Sequence, residues 1–264
     1  LNDVNMIDPY HMEAYGKLAV NYNRDVEIFP VLRAIFERIQ GKSPYQSPTD
    51  MGVNMAGFCI TDDDACCDAS RREIVRRYFA AGCAKLRGSG EDAAVGKIEI
   101  LMEQAGVSPE NRRSARAANA LEAATGKPAA AMELADGSVV TGKTKDLLGC
   151  ASAMLLNALK TLAGIPDEVK LIAERVIEPI QRLKVTSLHN RNPRLHTDEV
   201  LIALAVCAVD DEFAARAIAQ LPRLKGLEAH ASVLLSPVDE DTFRRLGVNL
   251  TCQPKHETQR LFYR

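Results

Sequence analysis

The chain reads as an α+β or three-layer α/β protein, in which a helical subdomain precedes a mixed-sheet subdomain with a hairpin and a C-terminal β-α-β unit. Three observations predict it. Capped, helix-periodic segments follow one another from Thr61 to Gly126. Asp136-Gly137, the strongest short hairpin signal, separates Ala131-Met132-Glu133-Leu134 from Ser138 to Thr141. Strand-like runs at Ala229 to Leu235 and Val248 to Cys252 flank one short helix. The expected division is a polar, loop-rich segment with one helix over 1–60, a helical subdomain over 61–126 and an α/β subdomain over 127–264. At 264 residues and 47% hydrophobic, the chain can bury one large core or two modest ones.

Up to about Gly57 the sequence is broken by Asp8-Pro9, Gly16, Gly41, Ser43-Pro44, Ser47-Pro48 and Gly52, and it holds one clear helix, Arg24 to Ile39. Asp8 before Pro9 has the form of an N-cap with proline at the first helical position. In the helical subdomain the first helix sets Val75, Tyr78, Phe79, Gly82, Cys83 and Leu86 on one face. The second runs from Ser89 to Gly106 and the third from Ser108-Pro109 to Gly126, with start and stop signals at their ends. Behind the hairpin an apolar stripe, Leu147 to Leu162, ends at Gly164 and Pro166. A helix from about Asp167 to Lys184 is expected to break near Pro179. The Asn-, Arg- and His-rich loop Ser187 to His196 leads to a helix, Thr197 to Val209, that is apolar almost all round and so is expected to be buried. After a helix from Glu212 to Leu221, Ser236-Pro237-Val238-Asp239 caps the helix of the β-α-β unit and Gly247 ends it.

A formal charge of -2, from 33 basic and 35 acidic residues, gives no standing field for nucleic acid or an anionic membrane, so neither is expected as a partner. No run of eighteen apolar residues occurs. Seven scattered cysteines without a C-x-x-C fit reduced thiols and a cytoplasmic location. The chain opens Leu1-Asn2-Asp3 without an initiator methionine and reads as a fragment or processed piece.

Gly137 to Thr144 matches the phosphate-loop pattern G-x-x-x-x-G-K-[ST] letter for letter. Its interior is Val139-Val140-Thr141, and β-branched residues favour extended backbone over a tight anion-binding curl. The hairpin is the simpler reading. The alternative, a working phosphate loop with Lys143 on the phosphates and Thr144 on Mg²⁺, stays open.

Three polar clusters stand out. The first packs Asn2, Asp3, Asn5, Asp8, His11, Tyr15, Asn21, Asn23, Arg24 and Asp25 into one short stretch, suited to a phosphate, ribose or carboxylate ligand or simply to caps and turns. The second, Asn190, Asn192, Arg194, His196, Asp198 and Glu199, ends where a helix begins. There Arg194 and His196 suit an anion, and Asp198 or Glu199 could pair with Arg194 or join His196 in proton transfer. The third is His230 on a strand face shared with Glu228 and Ser232 that could look into a cleft. Metal-ligand spacings such as H-x-x-x-H are absent, so no metal site is expected, and nothing names a cofactor.

The stretches Leu1-Asn-Asp-Val-Asn-Met-Ile-Asp-Pro9, Val20-Asn-Tyr-Asn-Arg-Asp-Val-Glu-Ile-Phe-Pro30, Ser47-Pro-Thr-Asp-Met-Gly-Val-Asn-Met-Ala-Gly57 and Asn192-Pro-Arg-Leu-His-Thr-Asp-Glu-Val200 resemble the bacterial domain of unknown function 1846 family. Members are longer, so the resemblance implies a C-terminal half whose N-terminal half is absent here. It also implies a soluble cytoplasmic α/β protein, and it supplies no reaction and no catalytic residue.

The leading expectation is an enzyme site for a phosphate-bearing or nucleotide-like small molecule, shared with the absent N-terminal half. The candidate catalytic residues are His196, Asp198 and His230; the candidate ligand-binding residues are Asn5, Asp8, His11, Asn23, Arg24, Asp25, Asp50, Asn54 and Arg194. This reading requires at least two clusters to meet on one pocket. Its rival is an oligomerisation module, presenting an apolar patch on the helices from Thr61 to Gly126 with no pocket, and a homo-oligomer is the expected state.

Overall fold

The computed structural model describes residues 4–8, 19–43 and 63–257. The chain divides into two compact units, one of residues 1–81 and 91–109 and one of residues 82–90 and 110–264. These bounds differ from the three expected segments because the third expected helix packs on the sheet rather than with the helices before it.

In the first unit, β1 (Val4–Asp8) pairs antiparallel with β2 (Ala19–Tyr22), and α1 (Asn23–Gln40) follows directly. Asp8 closes β1, and the helix start expected at Pro9 lies outside the described residues. Two further helices are α2 (Asp63–Leu86) and α3 (Asp92–Ala105). Ile74, Met102 and Ala105 form a small core with Tyr78, Ile98 and Leu101 packed on it. Gly106 closes α3 in the left-handed conformation that glycine adopts without strain.

The second unit is built on a four-stranded sheet in the order β4-β3-β5-β6. Strand β3 (Ala129–Glu133) runs antiparallel to both β4 (Val139–Lys143) and β5 (Glu228–Ala231), and β5 is parallel to β6 (Asn249–Cys252). The expected hairpin is present. Ala129 pairs with Lys143 and Glu133 with Val139, while Asp136 accepts from the Ser138 N–H at 2.9 Å and Gly137 takes φ 79° in the turn. The expected β-α-β unit is present as well, its crossover carrying the helix Pro237–Arg245 between the parallel strands β5 and β6.

Helix α4 (Arg113–Thr125) packs on β3 and β5, and α5 (Cys150–Ala163) packs on β4 and β3. Two small residues of α4, Ala115 and Ala118, are buried, which lets its backbone lie close to the strands. Met132, Ala229 and Ala231 of the sheet join Met154, Leu155 and Leu159 of α5 in the main core. Arg112, just before α4, pairs with Glu228 and donates to the carbonyl oxygens of Ala229 and Asn249 at 2.7 and 2.5 Å, so one guanidinium ties α4 to two strands.

The phosphate-loop alternative for Gly137 to Thr144 is corrected here. The stretch from Val139 to Lys143 is an extended edge strand, so its N–H groups do not curl round an anion. Packing explains the glycine and threonine of the match. A Cβ on Gly142 would come within 2.1 Å of the Met154 backbone nitrogen, and Thr144 Oγ1 accepts from the Cys150 N–H at 3.1 Å, at the start of α5.

Beyond α5, the helix expected from Asp167 begins later, as α6 (Glu174–Arg182); it runs through Pro179 and widens into a π turn at Leu183–Ser187. Then come α7 (Thr197–Cys207), α8 (Glu212–Ile218) and α9 (Pro237–Arg245). Helix α7 is not buried all round. Val200, Ala203 and Leu204 face the core, whereas Ile202 is 65% and Val206 63% exposed. The strand expected over Ala229 to Leu235 stops at Ala231, and the chain then turns toward α9.

Replacing Gly142 by alanine is expected to destabilise the chain by about 1–3 kcal/mol, because helix backbone rather than a movable side chain meets the new methyl. Gly96→Ala, in the interior of α3 with open space around its Cα, should stabilise by about 0.5–1 kcal/mol. Urea unfolding of both variants checks the pair; equal effects would contradict the close approach of β4 and α5.

Candidate functional site

The site is built where three helices of the second unit begin. A cavity of about 370 Å³ is walled by the first turn of α5 (Gly149, Cys150, Ala151, Ser152), by His196 before α7, and by Ser236, Pro237 and Asp239 at the start of α9. Thr144, Arg194, Asn192, Arg87, His256 and Glu257 complete the polar part of its wall. Helix N-termini present backbone N–H groups and a positive dipole end. A carboxylate at the start of α9 satisfies the start of α7: Asp239 takes the Thr197 N–H at 2.9 Å and the Thr197 hydroxyl at 3.1 Å, both on Oδ1.

The other oxygen of Asp239 faces the ring of His196, with Oδ2 3.2 Å from Nδ1, and also accepts the Ser236 hydroxyl at 2.7 Å. Ser236 Oγ in turn accepts from the Asp239 N–H at 3.2 Å, the expected N-cap of α9. Burial alone would raise the Asp239 carboxyl, but hydrogen bonds from His196, Ser236 and the Thr197 N–H outweigh it and hold the group below its ordinary 3.8. The Asp239 carboxylate raises His196 above 6.5 against a smaller opposing effect of burial.

The loop carrying Arg194 and His196 is pinned from below. Lys184, 2% exposed on the π turn, donates to the Arg194 carbonyl oxygen at 2.7 Å and to Glu199 Oε2 at 2.6 Å, and that same carboxylate oxygen accepts the His196 backbone N–H at 2.8 Å. The Leu195 N–H donates to the Leu147 carbonyl, and the Ser152 hydroxyl donates to that of Leu195 at 3.0 Å. Asn190 and Asn192 form successive Asx turns, accepting the N–H groups of Asn192 and Arg194, so these carboxamides shape the loop.

Of the second sequence cluster, Asn192, Arg194 and His196 therefore line one cavity. Asp198 lines neither this cavity nor a second one of about 790 Å³; its carboxylate accepts the Glu199 N–H at 2.8 Å. Arg194 pairs with Glu257 at 2.6 Å rather than with Asp198 or Glu199. The expectation that the His230 face looks into a cleft is corrected. His230 is 0% exposed within the sheet, its Nδ1 is 2.8 Å from Thr251 Oγ1, and burial and the Arg112 charge push it down to about 3. A ring kept neutral in the core by desolvation does not exchange protons near neutral pH.

His11 of the first cluster and the separate candidates Asp50 and Asn54 lie outside the described residues. Asn5 and Asp8 stand on β1, and Asn23, Arg24 and Asp25 open α1, where only the backbone is described. A meeting of two clusters on one pocket is thus not shown among the described residues. Sequence reasoning missed Asp239 and Lys184. The Ser236-Pro237-x-Asp239 cap was legible, but Asp239 completes His196 from 43 positions away, and no local pattern joins them.

Cys150 lies in the cavity wall, and burial pushes its thiol up to about 12, which removes it as a nucleophile. Among the described residues, no group of three or more His, Cys, Asp or Glu is placed to hold a metal ion, and no helix is long and apolar enough to cross a membrane.

Residues 110–262 match the family described as Domain of unknown function DUF1846, C-terminal, and residues 1–106 match Domain of unknown function DUF1846, N-terminal. The chain belongs to this family. It is similar to the UPF0371 protein of Corynebacterium urealyticum, 52% identical over 262 residues that make up 99% of this chain and 53% of that protein. UPF0371 proteins of Corynebacterium efficiens and Streptococcus thermophilus are 53% and 51% identical over the same 262 residues. The chain spans about half the length of these DUF1846 relatives. The expectation of a C-terminal half alone is corrected, since both family domains have matches within it and meet near the boundary between the two compact units.

The His196–Asp239 pair fixes a pH window. A histidine raised in the folded state contributes fully below its ordinary 6.5, and the contribution is lost as pH rises through the raised value. A lowered carboxylate contributes fully above 3.8, and that is lost as pH falls through the lowered value. Their stabilisation is therefore complete between 3.8 and 6.5. NMR titration of the His196 ring is expected to give a midpoint above 6.5 that falls in Asp239→Asn; a wild-type midpoint below 6.5 would overturn the pairing.

Proposed function

We propose that this chain supplies one wall of an enzyme site for a phosphate-bearing small molecule, completed by residues of the longer protein, and that the cavity beside Arg194 and His196 is its seat. One observation supports the reading above the rest: three helix N-termini, an arginine and a histidine whose pKa the Asp239 carboxylate raises surround a single cavity. Its volume, about 370 Å³, falls in the range of small-molecule sites. Asp239 already occupies the starts of α7 and α9, which leaves the first turn of α5 as the place for a bound anion. There a Cβ on Gly149 would meet nothing within 4 Å, so a phosphate oxygen can approach the backbone.

Arg194 offers a planar fork that suits two phosphate oxygens, with Glu257 as the partner it would exchange. His196, oriented by Asp239, is the candidate general acid, delivering a proton to an oxygen that gains charge as a bond breaks. Ser236 holds the carboxylate that orients the ring and is a positioning residue. The reading places the protein in the cytoplasm, where its thiols stay reduced.

The assembly alternative finds its apolar surface in a different place from the one expected. Among the described residues of Thr61 to Gly126 the exposed large hydrophobe is Ile100, and Phe79 is 1% exposed, so charging Tyr78 and Phe79 would disturb packing rather than probe a surface. Exposed apolar side chains stand instead on α1, at Val31, Ile35 and Ile39, and on α7 and α8, at Ile202, Val206 and Phe213.

The deciding measurement is a thermal-shift and calorimetric screen of this chain and of the longer Corynebacterium urealyticum relative against inorganic phosphate, sugar phosphates and nucleotides. A ligand at about one hundred times its dissociation constant should add roughly 2.7 kcal/mol of stability. Arg194→Ala should weaken that ligand at least about tenfold, or 1.4 kcal/mol. No response from either protein would overturn the proposal.

A further inference from the structure

Among the described residues the second unit buries three long-chain cations, and two of them have a carboxylate partner: Arg112 pairs with Glu228 and Lys184 with Glu199. Lys160 differs. It is 7% exposed, its ammonium donates to the Asp167 carbonyl oxygen at 2.5 Å, and among the described residues no carboxylate stands within ion-pairing distance of it. An ammonium has three donors and a full charge, so one neutral acceptor leaves it far from compensated once it is removed from water.

Lys160 lies in the wall of the second cavity, about 790 Å³, which shares no lining residue with the first. Lys143 and Lys145 line it too, and neither has a carboxylate partner among the described residues. Lys170 lines it paired with Glu174, and the remaining acidic lining residues are Asp146 and Asp167. The apolar part of its lining includes Leu148, Leu156, Ile172 and Ile177. Three cations without acidic partners beside an aliphatic wall form an amphipathic cavity of the size that takes a small organic molecule.

We infer that this cavity binds a small organic anion with a short apolar body, whose phosphate or carboxylate head pairs with Lys160 and is flanked by Lys143 and Lys145. The site goes beyond the one at His196 and does not depend on it. Its geometry is also not that of a phosphate loop, because ammonium side chains and not a curled backbone hold the head. A lysine serves either head as a point charge.

Hexyl phosphate, hexanoate, inorganic phosphate and neutral hexanol, each titrated calorimetrically into the whole chain, test the inference. At least one alkyl anion should bind, and hexanol more weakly than that anion; hexyl phosphate binding tighter than hexanoate points to a phosphate ester as the natural head, and the reverse order to a carboxylate. Lys160→Met keeps the aliphatic stem and removes the charge, so it should lower alkyl-anion affinity at least tenfold while raising the melting temperature without ligand. A lower melting temperature of that variant would mean that the lysine serves only to hold the Asp167 carbonyl, and would overturn the inference. The surface double variant Lys143→Ala, Lys145→Ala should fold normally and weaken the anion several-fold. Unchanged affinity in both variants, or loss of binding in Arg194→Ala alone, would overturn it as well, the latter by moving the anion to the first cavity.

Discussion

A buried carboxylate must be satisfied from all sides or it unfolds what surrounds it, and Asp239 is the residue on which the first cavity depends. Its two oxygens receive the Thr197 N–H, the Thr197 hydroxyl, the Ser236 hydroxyl and the ring of His196. The same group therefore caps α7, holds the cap of α9 and orients a histidine. Removing one partner of such a buried set costs about 3–5 kcal/mol because the others remain desolvated. The cavity is pre-organised for that reason, with its polar groups fixed by one another before any molecule enters.

Lys184 performs the matching task for the loop. It gathers the Arg194 carbonyl and Glu199, and Glu199 accepts from the His196 backbone, so cation, loop and helix start are joined through one buried ammonium. The π turn that carries Lys184 gives the chain the local widening needed to aim it inward, a use of π geometry seen often at functional sites. Helix α5 links this arrangement to the sheet, since Gly142 admits its backbone against β4 and Thr144 accepts from its first N–H.

Much of the local structure was legible in residue pattern. Asp136-Gly137 specified a hairpin over the competing phosphate-loop match because β-branched Val139, Val140 and Thr141 favour extended backbone. Ser236 and Pro237 announced α9, and Gly106, Gly126 and Gly164 ended helices where expected. Pro179 was misread as a break, since a helix can pass through a proline when its surroundings accommodate one lost hydrogen bond. Helix α7 was misread as buried because composition counts apolar residues without saying which of them a neighbour covers. Within the candidate site, Arg194 and His196 were visible as polar residues at a helix start, whereas His230 on its alternating strand looked equally promising and proved to be core.

The sequence by itself determined the order of the main helices and strands from Asp63 onward, the Asp136-Gly137 hairpin and the Ser236 cap, though not the β1–β2 pair, because backbone preference, turn chemistry and hydrophobic period act over a few residues. It also carried the family membership. Tertiary structure alone decided that Asp239 and not Asp198 or Glu199 meets the ring of His196, that His230 is sealed from water, and that Lys160 is buried with no carboxylate partner among the described residues. Those outcomes depend on contacts between segments distant in the chain and on how much water each group loses, and neither quantity is written in local residue order.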